Sequence, residues 1–398
     1  MALPRLENPP SAWDRTVVDY FGEPPEVRLE VFEDQSRSIL SKNDSPDLGF
    51  RYSVNPYRGC FHGCAYCYAR PTHEYLGFGA GTDFERRIVV KPRAPELLNE
   101  ALSKKSWKGE LILFSGNTDC YQPLEARYEL TRRCLAVCLE HRQALHVITK
   151  SPLVERDLDL LVQLGKVTRV GVTLSIPFAS AEHSRKIEPY VASPARRFET
   201  IRRLSQAGVP VGVNVAPVIA GLNDEEMAEV LERARAAGAS EAAYILLRLP
   251  GNVKEVFDAR VREALPLRAE RIIARTREVR SGHRSDPRFG TRMTGEGVYA
   301  ESIARLFTVT ARRLGFSSSE RLRSGDEHSG AHSSNEEQRG EGRVRAPAMG
   351  VASTEAGSPR ASSEPGRAAK RRASASGGDG AKVERGAQLD LFAGLGGR

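Results

Sequence analysis

The sequence predicts an α/β fold built from parallel βα units, and two observations carry that prediction. Short apolar, β-branched runs recur between residues 54 and 316, and a longer amphipathic segment follows most of them. Strand alternating with helix at this spacing favours a parallel sheet with functional groups on the loops after the strands. In chain order the strands are predicted at 110–116, 144–151, 169–176, 209–218 and 242–250. The helices between them are predicted at 127–141, 154–165, 193–208 and 224–238, three of which end on a glycine, a common helix terminator.

The flanks read differently. Residues 1–50 are polar and proline-dotted, with one short helix or strand around 27–32, and form an arm leading into a core at 51–316. Beyond Phe316 the composition shifts to Ser, Gly, Ala, Arg and Glu, so 317–385 lacks the apolar surface to fold and is expected to be a disordered linker. A small apolar island, Gln388-Leu-Asp-Leu-Phe392, follows it within 386–398.

Composition narrows the function. Hydrophobic residues make up 40% of the 398 positions, enough for a buried core. The first thirty residues carry charges throughout and no apolar run of membrane-span or signal-peptide length, so a cytoplasmic protein with no membrane association is expected. The formal charge of +8 leans towards a polyanionic partner. In a reducing compartment, clustered cysteines hold metal or do redox chemistry more often than they pair.

Three of the six cysteines, Cys60, Cys64 and Cys67, lie within "GCFHGCAYCY" as C-x3-C-x2-C. Zinc normally takes four protein ligands in two short pairs. No second pair follows, although His62 or His73 offers a fourth ligand. Three thiolates on one loop suit an iron–sulfur cluster and leave one iron of a four-iron cube open. Cys134 and Cys138, four apart in a helical stretch with apolar neighbours, read as core thiols.

This motif, with Tyr66 as the aromatic before its last cysteine and a βα array behind it, closely resembles the radical S-adenosylmethionine (SAM) superfamily over residues 55–316. The resemblance implies a partial (β/α)6 TIM-type barrel. It implies a [4Fe-4S] cluster on Cys60, Cys64 and Cys67, with SAM on the open iron. It further implies one-electron cleavage of SAM to a 5′-deoxyadenosyl radical, fed by a donor such as flavodoxin or ferredoxin, with the protein positioning and shielding this cofactor chemistry. Polar residues after the strands mark the expected SAM rim: Ser115, Asn117, Thr118 and Asp119, then Thr149 and Lys150, Ser175, and Asn214. Arg185 and Glu188 are expected to face SAM's carboxylate and ribose, or else to form an ion pair at helical spacing, and Ile219 in "PVIAGLND" to pack on the adenine.

"CAYCY", with tyrosines on both sides of Cys67, is similar to the spore photoproduct lyase branch, DNA repair enzymes that split a thymine dimer by radical hydrogen transfer. That likeness gives Tyr66 and Tyr68 a part in passing the hydrogen, and matches Asn117, Thr118 and Asp119 to a triplet preceded in that family by a donor cysteine. Gly116 stands at the donor position, and Cys120, on the other side of the triplet, is either a replacement donor or a structural loop cysteine. Tyr121, Arg288, Arg292 and Tyr299 are candidates for the substrate side, the alternative for the 285–299 stretch being a solvated basic loop. Gln388, Leu389, Leu391 and Phe392 resemble the peptide by which bacterial repair proteins dock on the DNA sliding clamp, and the basic run Lys370–Arg372 is either part of a solvated linker or a weak aid to DNA binding. The expected substrate is therefore damaged DNA or another nucleic acid. Radical SAM modification of RNA, protein or a small molecule remains open, as does a zinc-binding adaptor without activity.

Overall fold

The structure is a computed structural model that describes residues 29–318 and the two-residue strand 384–385. The rest of the linker, the Lys370–Arg372 run and the peptide Gln388, Leu389, Leu391 and Phe392 lie outside the described residues.

The described residues form twelve strands: β1 (Glu30–Glu33), β2 (Leu40–Lys42), β3 (Tyr52–Val54), β4 (Tyr57–Arg58), β5 (Arg87–Val90), β6 (Ile112–Phe114), β7 (Leu145–Thr149), β8 (Val170–Ser175), β9 (Val211–Val218), β10 (Glu241–Leu246), β11 (Ser317–Ser318) and β12 (Glu384–Arg385). The main sheet has the order β11-β10-β9-β8-β7-β6-β3-β2. All of its pairs are parallel except β2 with β3. Six parallel strands, β3 and β6 to β10, alternate with helices as a partial TIM-type barrel requires. A second sheet, β12-β1-β5-β4, flanks the loop that carries the cysteines. Residues of the predicted arm are built into both sheets: β1 pairs in parallel with β5, and β2 pairs antiparallel with β3.

Side-chain alternation splits the main sheet into two faces. Leu145, Val147, Val170, Val172, Val211, Val213 and Val215 point into the main core, where Leu135, Leu161, Ile201 and Leu231 from the helices 130–140, 158–167, 194–206 and 227–236 cover them. The alternate positions, His146, Gly171, Thr173, Gly212 and Asn214, form the opposite, polar face, on which His146 Nε2 lies 2.8 Å from Thr173 Oγ1. The sheet curls around this polar face. Asp47, between β2 and β3, pairs with Arg292 of the short helix 291–294, which packs on β10. Because β2 and β10 stand near opposite ends of the strand order, the ion pair spans the open side of the barrel.

The five predicted strands are all present. The predicted helix 127–141 is two, because Glu129 adopts φ 50° and separates Glu125–Tyr128 from Leu130–Glu140.

Candidate cluster and cofactor site

The cysteine loop runs on directly from β4 and is clamped from three directions. Cys60 N donates to Phe84 O at 2.9 Å, and Ala65 N to Ile187 O at 3.0 Å. The Gln122 amide accepts from Phe61 N at 3.0 Å and donates to Gly59 O at 3.1 Å. Arg70, fully buried, donates to the carbonyls of Cys64, Ala80 and Gly81 and to the Glu85 carboxylate. A buried guanidinium with every direction filled fixes the loop far more firmly than a surface contact would. Gly59 has φ +75°, and a Cβ there would lie 2.8 Å from His73 and 2.9 Å from Phe84 O, so only glycine permits the entry into the loop.

Burial pushes all three loop thiols upwards in pKa, and negative neighbours add to the effect for Cys60 (Asp119) and Cys64 (Glu188). Cys67 packs against the apolar groups that contain Cys60 and Cys64. Were they to ionise in this setting, the three thiolates would need a cationic partner. Neither histidine completes a zinc set: His62 Nδ1 faces Asp119 at 3.4 Å, and His73 Nε2 is 2.7 Å from Arg87 O. Among the described residues no three or more His, Cys, Asp or Glu side chains are gathered closely enough for a single ion.

The rim beside the loop is organised by Asp119. Its carboxylate accepts from Thr149 Oγ1 at 2.7 Å, Lys150 N at 2.8 Å and Tyr121 N at 2.9 Å. Burial raises its pKa, but His62 and these donors outweigh it and hold the group at about 2. The preceding turn is tight. Ser115, a non-glycine at φ 71°, accepts from Cys120 N through its hydroxyl, while Asn117 N donates to Asn55 Oδ1 and Thr118 Oγ1 to Tyr57 O. Such a backbone costs about 1 to 3 kcal/mol and persists only where its surroundings enforce it.

A second buried unit stands opposite. Glu188 and Arg197 are both fully buried and pair at 2.6 Å. Tyr66 donates its hydroxyl to the same carboxylate, as does Ser184 at 3.2 Å, and Arg197 also donates to Ser175 O, Ala192 O and Ser184 Oγ at 2.9 Å. Lys150 Nζ lies 5.7 Å from the centre of the Tyr66 ring. Burial disfavours the Glu188 charge, yet Arg197, Lys150 and Tyr66 together hold its pKa below the ordinary value.

The Radical SAM superfamily profile matches residues 54–234, the span that holds the three cysteines and this rim. An uncharacterized protein of Mycobacterium tuberculosis is 36% identical over 246 residues, which cover 61% of this chain and 71% of the relative. An uncharacterized protein of Methanocaldococcus jannaschii is 30% identical over 199 residues, 50% of this chain and 71% of the relative. This chain belongs to the radical SAM superfamily. Among solved structures, Spore photoproduct lyase complexed with dinucleoside spore photoproduct aligns with TM-score 0.46 at 18% identity over 74% of this chain and 84% of that one.

Radical SAM proteins use a [4Fe-4S] cluster and SAM, and the residues fit both. Cys60 and Cys64 are buried and Cys67 is part-buried beside them, and among the described residues they are not gathered for a single ion, a spacing that suits the wider spread of a cluster. Among the described residues Asn214 Oδ1 is buried without a hydrogen-bond partner, and Asn214 lies in register with Ser175 on the polar face. Lys150 forms no salt bridge among the described residues.

Several expectations from the sequence need correction. Arg185 is exposed and does not pair with Glu188; the buried guanidinium is Arg197. Ile219 is fully enclosed in an apolar cluster with Cys64 and Tyr66, which leaves its side chain no face for an adenine. Cys120 is fully buried in the main core with Cys134 and Leu135, and this burial removes it from the polar face and from the part of hydrogen donor. Gly116 stands where it does for a packing reason, since a Cβ would lie 2.7 Å from Ser53 Cβ. Tyr66 spends its hydroxyl on Glu188, whereas Tyr68 is 48% exposed and donates to Gly116 O at 2.6 Å. Tyr121 is buried against Asp157, Tyr299 donates to Asp224, and Arg288 and Arg292 are neutralised by Asp286, Glu296 and Asp47. Cys134 and Cys138 are core thiols as expected.

Proposed function

We propose that this radical SAM enzyme repairs damaged DNA by a lyase-like reaction, with the lesion held against the polar face of the partial barrel. When bound, the cluster and SAM supply a 5′-deoxyadenosyl radical for hydrogen abstraction. The surrounding residues have separable tasks. Arg70, Gln122 and the Tyr66–Glu188–Arg197 unit hold the loop and keep water from its thiols, and Asp119 fixes the turns after β6 and β7.

The observation that carries the reading is the position of Tyr68. It directly follows the last cluster cysteine, is half-exposed, and is anchored on the turn that bears Asn117, Thr118 and Asp119. A phenol so placed supplies an O–H group next to the reacting centre, and the doubled tyrosine is the feature shared with the lyase branch. The formal charge of +8 suits a phosphate-bearing substrate.

The test is anaerobic incubation of the reconstituted protein with SAM, dithionite and thymine-rich oligonucleotides bearing UV damage, followed by mass spectrometry for restored thymine. Restoration that depends on SAM is the expected result. Release of 5′-deoxyadenosine at one unchanging rate with no thymine restored from any lesion would remove DNA repair and leave RNA, protein or small-molecule substrates.

A further inference from the structure

We propose that Arg248, at the end of β10, is an anion-binding residue at the open side of the barrel and grips a phosphodiester of the substrate strand; the choice of phosphodiester rests on the DNA reading above. Four arginines meet on this side, and three have partners. Arg292 pairs with Asp47, Arg288 with Asp286 and Glu296, and Arg280 donates to the carbonyls of Leu246, Leu247 and Thr291. Arg248 is half-buried, and its hydrogen bond among the described residues is to Met293 Sδ at 3.7 Å, a weak acceptor. Burial first, and the Arg292 guanidinium second, lower its pKa, as for a cation short of counter-charge. The charged groups felt by Arg248 and Arg280 are Asp47, Asp286, Glu296, Arg292 and one another, with Tyr68 beside Arg248.

Position gives this spare charge its meaning. Tyr68 is anchored on the turn after β6, and Arg248 follows β10, four strands further along the order. Their electrostatic contact therefore reaches across the curled sheet, beside the Arg292–Asp47 pair that spans its open side. A ligand entering there meets an unpaired guanidinium and a half-exposed phenol together. A guanidinium fork matches two oxygens of a phosphate.

Two measurements on the reconstituted full chain test this. The first is phenylglyoxal labelling mapped by mass spectrometry. Arg248 should react in the free protein, and either inorganic phosphate or a single-stranded thymine oligonucleotide should slow it several-fold, with Arg288 unaffected. The second is oligonucleotide anisotropy. Arg248→Gln should weaken binding roughly ten-fold. It should also reduce the slope of log affinity against log salt by about 0.7. Arg288→Gln, which loses the same charge from an already paired group, should do neither. If phosphate protects Arg248 but the oligonucleotide neither binds nor protects, the anion site stands and the DNA reading falls. If the oligonucleotide binds while Arg248 reacts at its free rate and Arg248→Gln binds normally, the site is wrong and the DNA reading survives. If neither ligand binds or protects, both fail.

Discussion

Replacing Arg197 with Met should be among the most damaging single changes to this fold. Arg197 and Glu188 are fully buried, so the substitution leaves a carboxylate in the interior with only the hydroxyls of Tyr66 and Ser184. It also strips bonds from the carbonyls of Ser175 and Ala192. Removing one partner of a buried pair typically costs about 3 to 5 kcal/mol, a large part of the roughly 5 to 15 kcal/mol that holds a domain together. The sign of the pH dependence sharpens the prediction. In the native chain the Glu188 pKa is lowered, so its contribution is present above the ordinary value of 4.5 and fades in acid. Without Arg197 only Lys150 and Tyr66 oppose burial, so that pKa moves up and the deficit of the variant should shrink as pH falls from neutrality. Urea unfolding followed by circular dichroism measures both effects. Arg197→Met with Glu188→Gln should recover at least part of the loss, and Arg185→Ala should cost almost nothing. A loss below about 1 kcal/mol for Arg197→Met, or one that does not change with pH, would refute the reasoning.

Asp119, held at about 2 against an ordinary 3.8, contributes stability that is present above about pH 4 and disappears as pH falls towards 2. Asp119→Asn should therefore cost about 2 kcal/mol at neutral pH, with the gap closing in acid, as read from unfolding curves at several pH values. Cys120→Ala should lower stability by about 1 kcal/mol, as for a small core truncation, and leave product formation unchanged; loss of product at full cluster content would return the thiol to the mechanism. Tyr68→Phe should lower restored thymine per 5′-deoxyadenosine released by roughly ten-fold, and an unchanged ratio would take the phenol out of the reaction.

Strands β6 to β10 were legible because they lie in apolar runs at a regular spacing between amphipathic helices. β3, only Tyr52–Val54, is too short to show a period, and β1 and β2 lie in polar sequence that becomes sheet only through pairing with β5 and β3. The cysteines were legible as a motif, since their spacing along one loop is itself the chemistry. Arg197 was not, because "SPARRFETIRRL" reads as a solvated basic helix. Its signal was phase: Arg197 falls on the face of Ile201 and Leu204, four and seven residues on, where an apolar residue is expected. Arg70 and Gln122 act through backbone carbonyls and amides distant in sequence, which no local pattern records. Of the two readings open for Cys120, the structure favours the structural one. Adjacency to Asp119 in sequence suggested the rim, but the two side chains diverge, one to Thr149 and one to the core.

The central claim is that Cys60, Cys64 and Cys67 hold a cluster that drives SAM cleavage. Anaerobic reconstitution with iron and sulfide, followed by dithionite and SAM, tests it most directly. A brown protein that releases 5′-deoxyadenosine, and loses both the colour and the release in Cys64→Ala, is the predicted result. A colourless protein that binds zinc and leaves SAM intact would contradict it.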